Sequence, residues 1–270
     1  MNDIKVALLA DKSIAILSIN RPEKRNAFRM ETIEEMAGVI QRLEDMPQIR
    51  CTIITGESDN AFSSGGDMRA ELQYSKEEPW NLKKFNDLGG KMVLSIINSR
   101  MPYIAAVNGF AFGAALSVIT ACDFSLASEN AVFAIPTSSM GGVPGWGCTQ
   151  LLPRAIGKQR AQRILLGNER IGAVEAYSMG LIGEVVKSSA LMPKVMEQAE
   201  RIAFYPPQAI TAIKIAVNHG LEDTLEKGIA LEGDMLMQVN PDSNFQEGLE
   251  AFFEKRTPIV NYDQVFVYKR

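Results

Sequence analysis

The amino-acid sequence predicts an α/β fold with an all-helical C-terminal end, on two observations. A buried strand, a glycine-containing turn and a helix start follow one another twice, at 51–68 and at 103–115. From about residue 188 the strand signal disappears and only helical periodicity remains. The chain has 270 residues, enough for one large domain or a core with a smaller appendage.

Taken in order, residues 4–10 and 13–19 are apolar runs split by Asp11 and Lys12, which reads as a hairpin. "RPEKRNAF" is a polar loop. Ile33, Ala37, Ile40 and Leu43 recur at helical spacing over 29–45. "CTIITG" at 51–56 is a β-branched strand, followed by turn chemistry in "ESDNAFSSGGDM" that runs into a helix start. Phe85, Leu88, Met92 and Ile96 mark a helix over 81–99. "PYIAAVNG" at 102–109 is a second buried strand, then come an apolar helix at 113–121 and a third strand near 122–127. Helices are expected at 188–203, 207–219, 222–238 and 243–254. Residues 205–270 are thus a helical appendage, and with no low-complexity linker before it the two parts are expected to pack tightly.

Composition removes several classes of function. A net charge of −4 gives no basic footprint for nucleic acid. Cys51, Cys122 and Cys148 lack metal-ligand spacing, so no metal site is expected. Their odd number, without a signal peptide, points to a reducing, cytoplasmic setting. The apolar stretch from Tyr103 to Ala121 is interrupted by Asn108, Ser117 and Thr120 and reads as buried strand plus helix, not a membrane span. His219, the single histidine, precedes Gly220 at a helix end, where it suits terminal carbonyls better than catalysis.

"FSSGGDM" and "GFAFGAALS" carry the most chemistry. A residue just inside a helix start leaves its backbone N–H unpaired, with the helix dipole behind it. Two such groups converging on one point form an oxyanion hole for charge developing on a carbonyl oxygen. Gly66 and Ala114 are the natural donors. Tight turns with close packing explain the same small residues, and spacing leaves both readings open.

"RPEKRNAF", "AFSSGGDM", "IAAVNGFAFGAALSVITACDFSLASENAVFAIP", "GGVPGWGCTQLLPRAIG" and "EGLEAFFEKRTP" resemble the enoyl-CoA hydratase/isomerase (crotonase) family, in order and over essentially the whole chain. The resemblance implies a spiral of ββα repeats over 1–204 and a helical region at 205–270 that mediates assembly into a homotrimer or a dimer of trimers. It implies an acyl-CoA or enoyl-CoA thioester substrate, with coenzyme A as part of that substrate and no separate cofactor. The oxyanion hole falls at Gly66 and Ala114. Lys24, Arg25, Ala27 and Ser64 correspond to positions beside the nucleotide, and Phe252 and Lys255 to positions that reach it from the C-terminal helices. Asp123 matches a commonly acidic position, taken as structural.

The family pattern breaks at its two glutamates. Alignment of the flanking motifs puts Ser117 and Thr137 at those positions, and neither hydroxyl is a general base near neutral pH. The two-glutamate hydratase mechanism and the one-glutamate isomerase mechanism are therefore not expected. Other ionisable groups follow Gly66: Asp67, Glu71, Tyr74, Glu77 and Glu78. Asp67 stands at a helix start, which is reason enough for its charge. Glu71, one turn further, faces the same side, and Tyr74 is a second acid/base candidate. Met68, Phe112, Met140 and Trp146 are candidates for an apolar acyl pocket. The expected activity is a lyase- or isomerase-type reaction through a thioester enolate. The alternatives are decarboxylation or C–C cleavage of a malonyl- or β-keto-acyl-CoA, and a CoA-binding homologue without catalysis.

Overall fold

In a computed structural model, residues 2–11, 13–58 and 60–263 are described. The expected hairpin is present: β1 (Ile4–Leu9) and β2 (Ile14–Ile19) pair antiparallel, Ile4 opposite Ile19. After a 3-10 turn at Pro22–Lys24, α1 (Met30–Glu44) buries Ile33, Met36, Ile40 and Leu43 on one stripe. β3 (Cys51–Gly56) and the short β4 (Ala61–Ser63) lead into α2 (Met68–Glu77) and α3 (Pro79–Ile97). β5 (Tyr103–Val107), β6 (Phe110–Phe112) and α4 (Ala114–Ala121) repeat that order. β7 (Phe124–Ser128) and β8 (Val132–Ala134) begin a third turn and end in a 3-10 segment at Pro136–Met140. Then come α5 (Cys148–Ile156), α6 (Lys158–Gly167), β9 (Ile171–Gly172), α7 (Ala173–Met179) and β10 (Glu184–Val186). The chain closes with α8 (Leu191–Phe204), α9 (Pro207–Gly220), α10 (Leu225–Val239) and α11 (Ser243–Glu254).

The pairs β3-β4, β5-β6 and β7-β8 each place their first strand in one sheet and their second in another, whereas β1 and β2 share the first sheet. The larger sheet has the order β1-β2-β3-β5-β7-β10, parallel from β2 onward, and the smaller has β4-β6-β8-β9. This is the spiral of ββα repeats that the resemblance implies. β4 and β6 depart from the sequence reading, which took "ESDNAFSSGGDM" as turn only and passed from the strand at 102–109 to small residues and the helix at 113–121. Three residues are too few to show alternation, and the adjacent glycines read as turn.

Alternation along the larger sheet separates two apolar clusters. Ile53, Ile104, Ala106 and Leu126 face Leu191, Val195 and Ala199 of α8, whereas Ile54, Ala105 and Val107 face the cluster shared with α1, α3 and α4. The C-terminal helices are tied down by polar contacts. Lys214 of α9, nearly fully buried, donates to the carbonyls of Ile96 and Met101 at 3.0 Å each and to Asp123 Oδ2 at 2.9 Å. Asp123 also accepts from the Tyr103 N–H at 2.8 Å, so its role is structural. Among the described residues no helix is long and apolar enough to cross a membrane.

Candidate active site

The parallel pairing of β4 with β6 brings the two glycine-containing turns side by side. A Cβ on Gly65 would stand 2.5 Å from the Phe112 carbonyl oxygen and 3.2 Å from the Ala114 nitrogen, and φ there is +86°. Only glycine meets both conditions. Gly113, with φ +53° and ψ −121°, turns the chain into α4 so that Ala114 is its first residue. Phe28 holds the other turn, donating to the Gly65 carbonyl at 2.8 Å and accepting from the Asp67 N–H at 2.7 Å. Gly66 and Ala114 are thus neighbours across the two turns, and among the described residues neither N–H has a hydrogen-bond acceptor. Such a pair, with the α4 dipole behind one member, is suited to bind a carbonyl oxygen that gains negative charge.

The acid/base candidates are placed very differently from one another. Asp67 caps α2, accepting from the Arg69 and Ala70 N–H groups, and pairs with the buried Arg21 at 3.1 Å. Burial alone raises the Asp67 pKa, but hydrogen bonds from Ala70 and Arg21 and the Arg21 charge outweigh it and hold the carboxyl below its ordinary value. Arg21 in turn lies 3.7 Å from Asp3, which also binds Arg29 and Thr32. The Tyr74 hydroxyl accepts from the Met30 N–H at 3.3 Å, at the start of α1, and burial pushes its phenol up. Ser117 is fully buried, its hydroxyl 3.5 Å from the Gly145 carbonyl oxygen. Thr137 is half-buried, and its carbonyl accepts from the Gly142 N–H at 3.1 Å. Glu71 reaches the hole itself. Its Oε1 lies 1.8 Å from where a Cβ on Gly66 would stand, and Phe85 Cε1 is 3.5 Å from the same point. Burial, followed by the Asp67 charge, pushes the Glu71 carboxyl above its ordinary value. Glu77 and Glu78 lie exposed at the far end of α2.

Below the hole lies an aromatic floor that sequence reasoning saw only in part. Trp146 is 3% exposed, with Phe28 at 5.2 Å and Phe85 at 5.4 Å between ring centroids, and Tyr74 lies 5.9 Å from Phe85. Asn86 Oδ1 accepts from the Trp146 N–H at 3.0 Å, and the indole lies flat on Gly89. Phe85 showed in the sequence as part of a helical stripe, but nothing linked it to Phe28 or Trp146. Of the other pocket candidates, Phe112 meets Phe110 edge to face and lies under Arg170, while Met68 and Met140 are exposed. A cavity of about 900 Å³ shares Trp146 with this floor but lies between α3, α5 and α9, and its lining includes neither Gly66 nor Ala114.

Lys24, Arg25, Ala27 and Ser64 do come together. The Ser64 N–H donates to the Arg25 carbonyl at 2.9 Å and its hydroxyl to the Lys24 carbonyl at 3.3 Å, with Ala27 buried behind. Arg25 and Asn26 take the left-handed conformation, and Asn26 holds it by donating to the Ala61 carbonyl at 2.8 Å. Phe252 and Lys255 lie exposed at the end of α11. No His/Cys/Asp/Glu cluster able to hold a metal ion occurs among the described residues. Cys51, Cys122 and Cys148 are all buried, and burial pushes each thiol up, Cys51 to about 12 and Cys148 to about 11.

The sequence profile described as Enoyl-CoA hydratase/isomerase matches residues 10–263. The chain belongs to the enoyl-CoA hydratase/isomerase family. Among its relatives is a crotonyl-CoA hydratase of Syntrophomonas wolfei, 34% identical over 93% of this chain and 95% of the relative. Another is an (E)-benzylidenesuccinyl-CoA hydratase of Thauera aromatica, 34% identical over 94% and 97%. An enoyl-CoA hydratase structure from Bacillus anthracis superposes with a TM-score of 0.91 at 30% identity, covering 97% of this chain and all of that one.

Proposed function

We propose that this family member acts on an acyl-CoA or enoyl-CoA thioester, whose carbonyl oxygen accepts hydrogen bonds from the Gly66 and Ala114 N–H groups. The observation that carries the reading is the close approach of Gly65 to Ala114, with both neighbouring N–H groups unpaired. Loss of a proton, or of carbon dioxide, from C2 moves an electron pair onto that oxygen. Preorganised donors stabilise the resulting enolate more than the ground state, which is what lowers the barrier. The loop held by Ser64, Arg25 and Lys24 flanks the Gly66 turn and is the proposed bed for the nucleotide end of the thioester, with basic side chains for its phosphates. The names of the relatives favour hydration or double-bond chemistry over C–C cleavage.

The test is thermal protection by an unreactive acyl-CoA such as butyryl-CoA. At a 100-fold excess over its dissociation constant, a ligand of the native state adds about 2.7 kcal/mol of stability. Absence of any CoA-dependent rise in melting temperature overturns the proposal. Protection without turnover or α-proton exchange would instead identify a binding homologue. Residues 205–270 are proposed to mediate assembly as a trimer or dimer of trimers. Val217, Leu225, Ile229, Leu236 and Met237 stand exposed on α9 and α10, with Leu221 exposed in the turn between them. A monomeric mass by light scattering at micromolar concentration excludes that role.

A further inference from the structure

We propose that Glu71 is the catalytic residue that exchanges a proton with C2 of the bound thioester. The proposal rests on the thioester reading above and adds to it a carboxyl supplied from α2. Five side chains compete for the task, and three are committed elsewhere. The Tyr74 hydroxyl is occupied by the Met30 N–H, Ser117 is sealed in the core against the Gly145 carbonyl, and Asp67 is spent on capping α2 and on Arg21. Thr137 carries only a hydroxyl. The Glu71 carboxyl has no hydrogen-bond or ion-pair partner among the described residues, and it rests against Gly66, the residue that supplies one oxyanion N–H.

Gly66 makes that position possible. A side chain on residue 66 would occupy the space that the Glu71 carboxyl fills. A half-buried carboxyl set between a glycine and the Phe85 ring, with the Asp67 charge nearby, holds its proton more tightly than an exposed one. In the forward step the C2–H bond breaks, the proton passes to a Glu71 carboxylate oxygen, and the electron pair moves through C1–C2 onto the thioester oxygen. In the return step the Glu71 O–H breaks, the proton goes back to carbon, and the carbonyl re-forms. No oxidant or second substrate is needed.

The experiment follows deuterium incorporation from D₂O into butyryl-CoA and phenylacetyl-CoA by mass spectrometry, alongside their dissociation constants. The wild-type protein is expected to exchange. Glu71→Gln is expected to lose about 100-fold or more in exchange rate, the size of one general acid/base contribution. Gly66→Ala keeps the backbone N–H but displaces the tip of a flexible side chain, so it should lose exchange to a similar extent. Both variants should bind the thioesters within about threefold of wild type if uniform binding is untouched. Thr137→Ala should keep exchanging. Wild-type rates in Glu71→Gln, or binding without exchange in the wild type, overturn the assignment while leaving the thioester reading intact. No binding by the wild type overturns both.

Discussion

Gly89 and Gly90 are adjacent in α3, yet alanine at the two positions should act in opposite directions. Glycine to alanine inside a helix ordinarily stabilises by about 1 kcal/mol. At Gly90 a Cβ meets nothing within 4 Å, so that gain should appear undiminished. At Gly89 the Cβ would stand 2.1 Å from Trp146 Cε2, 2.2 Å from Cδ2 and 2.3 Å from Nε1, inside the indole rather than at a movable tip. The ring cannot swing aside freely, because Phe28 and Phe85 pack against it and Asn86 holds its backbone. Overpacking costs about 1–3 kcal/mol. Weakening two aromatic pairs costs about 0.5–1.5 kcal/mol each. Set against the helix gain, Gly89→Ala should destabilise by about 1–5 kcal/mol. Equilibrium urea unfolding, followed by far-UV circular dichroism, measures both variants. Near-UV circular dichroism reports the indole environment and should change only in Gly89→Ala. A Gly89→Ala protein as stable as Gly90→Ala would refute the packing of Trp146 on α3, and with it the floor of the site.

Two further predictions concern buried charge. Lys214→Met leaves Asp123 without its ammonium and the Ile96 and Met101 carbonyls without a donor, and should cost about 3–5 kcal/mol in urea unfolding. Adding Asp123→Asn should recover part of that loss, and strictly additive effects would show that the pair is not coupled. Glu71 titrates above its ordinary value in the native state, so its contribution to stability is fully present below that value and is lost as pH rises through the raised one. Glu71→Gln should therefore gain stability relative to wild type as pH rises above the ordinary carboxyl value of about 4.3. A difference that stays flat with pH counts against the buried carboxyl.

Much of this architecture was legible because helices and long strands impose a period on the sequence. The hairpin, α1, α3 and the four C-terminal helices lie within a few residues of their expected positions. β4 and β6 were not legible, since three residues cannot display a period and their flanking glycines signal turns. The two turns proposed to form the oxyanion hole were visible as glycine chemistry after buried strands. Their convergence was not, because it depends on β4 lying beside β6. The aromatic floor gathers Phe28, Phe85 and Trp146 from three segments, and no local pattern relates them. Glu71 was visible as a residue one turn beyond Asp67. That Tyr74 points its hydroxyl at Met30 instead of the hole is a tertiary fact with no counterpart in spacing.

The placement of charge explains why a carboxyl suits residue 71 better than residue 117. Ser117 is wholly enclosed between the Gly145 carbonyl oxygen and the Cys148 thiol, so a carboxylate there would confront an acceptor, find only a weak S–H donor and bear most of the cost of burial. Restoring a glutamate at 117 alone would thus not restore a base. On α2 the demands differ. Asp67, locked by Arg21 and by two N–H groups of the first turn, anchors the start of the helix. That anchor sets which side of α2 residue 71 occupies one turn later, and Glu71 then lies against Gly66. On the proposal that Glu71 exchanges the proton, Asp67 is a positioning residue: its charge is satisfied, while the carboxyl one turn on is not. A polar group left unpaired beside two unpaired N–H groups costs stability that a purely structural design would have avoided, and substrate binding is the event that would satisfy all three.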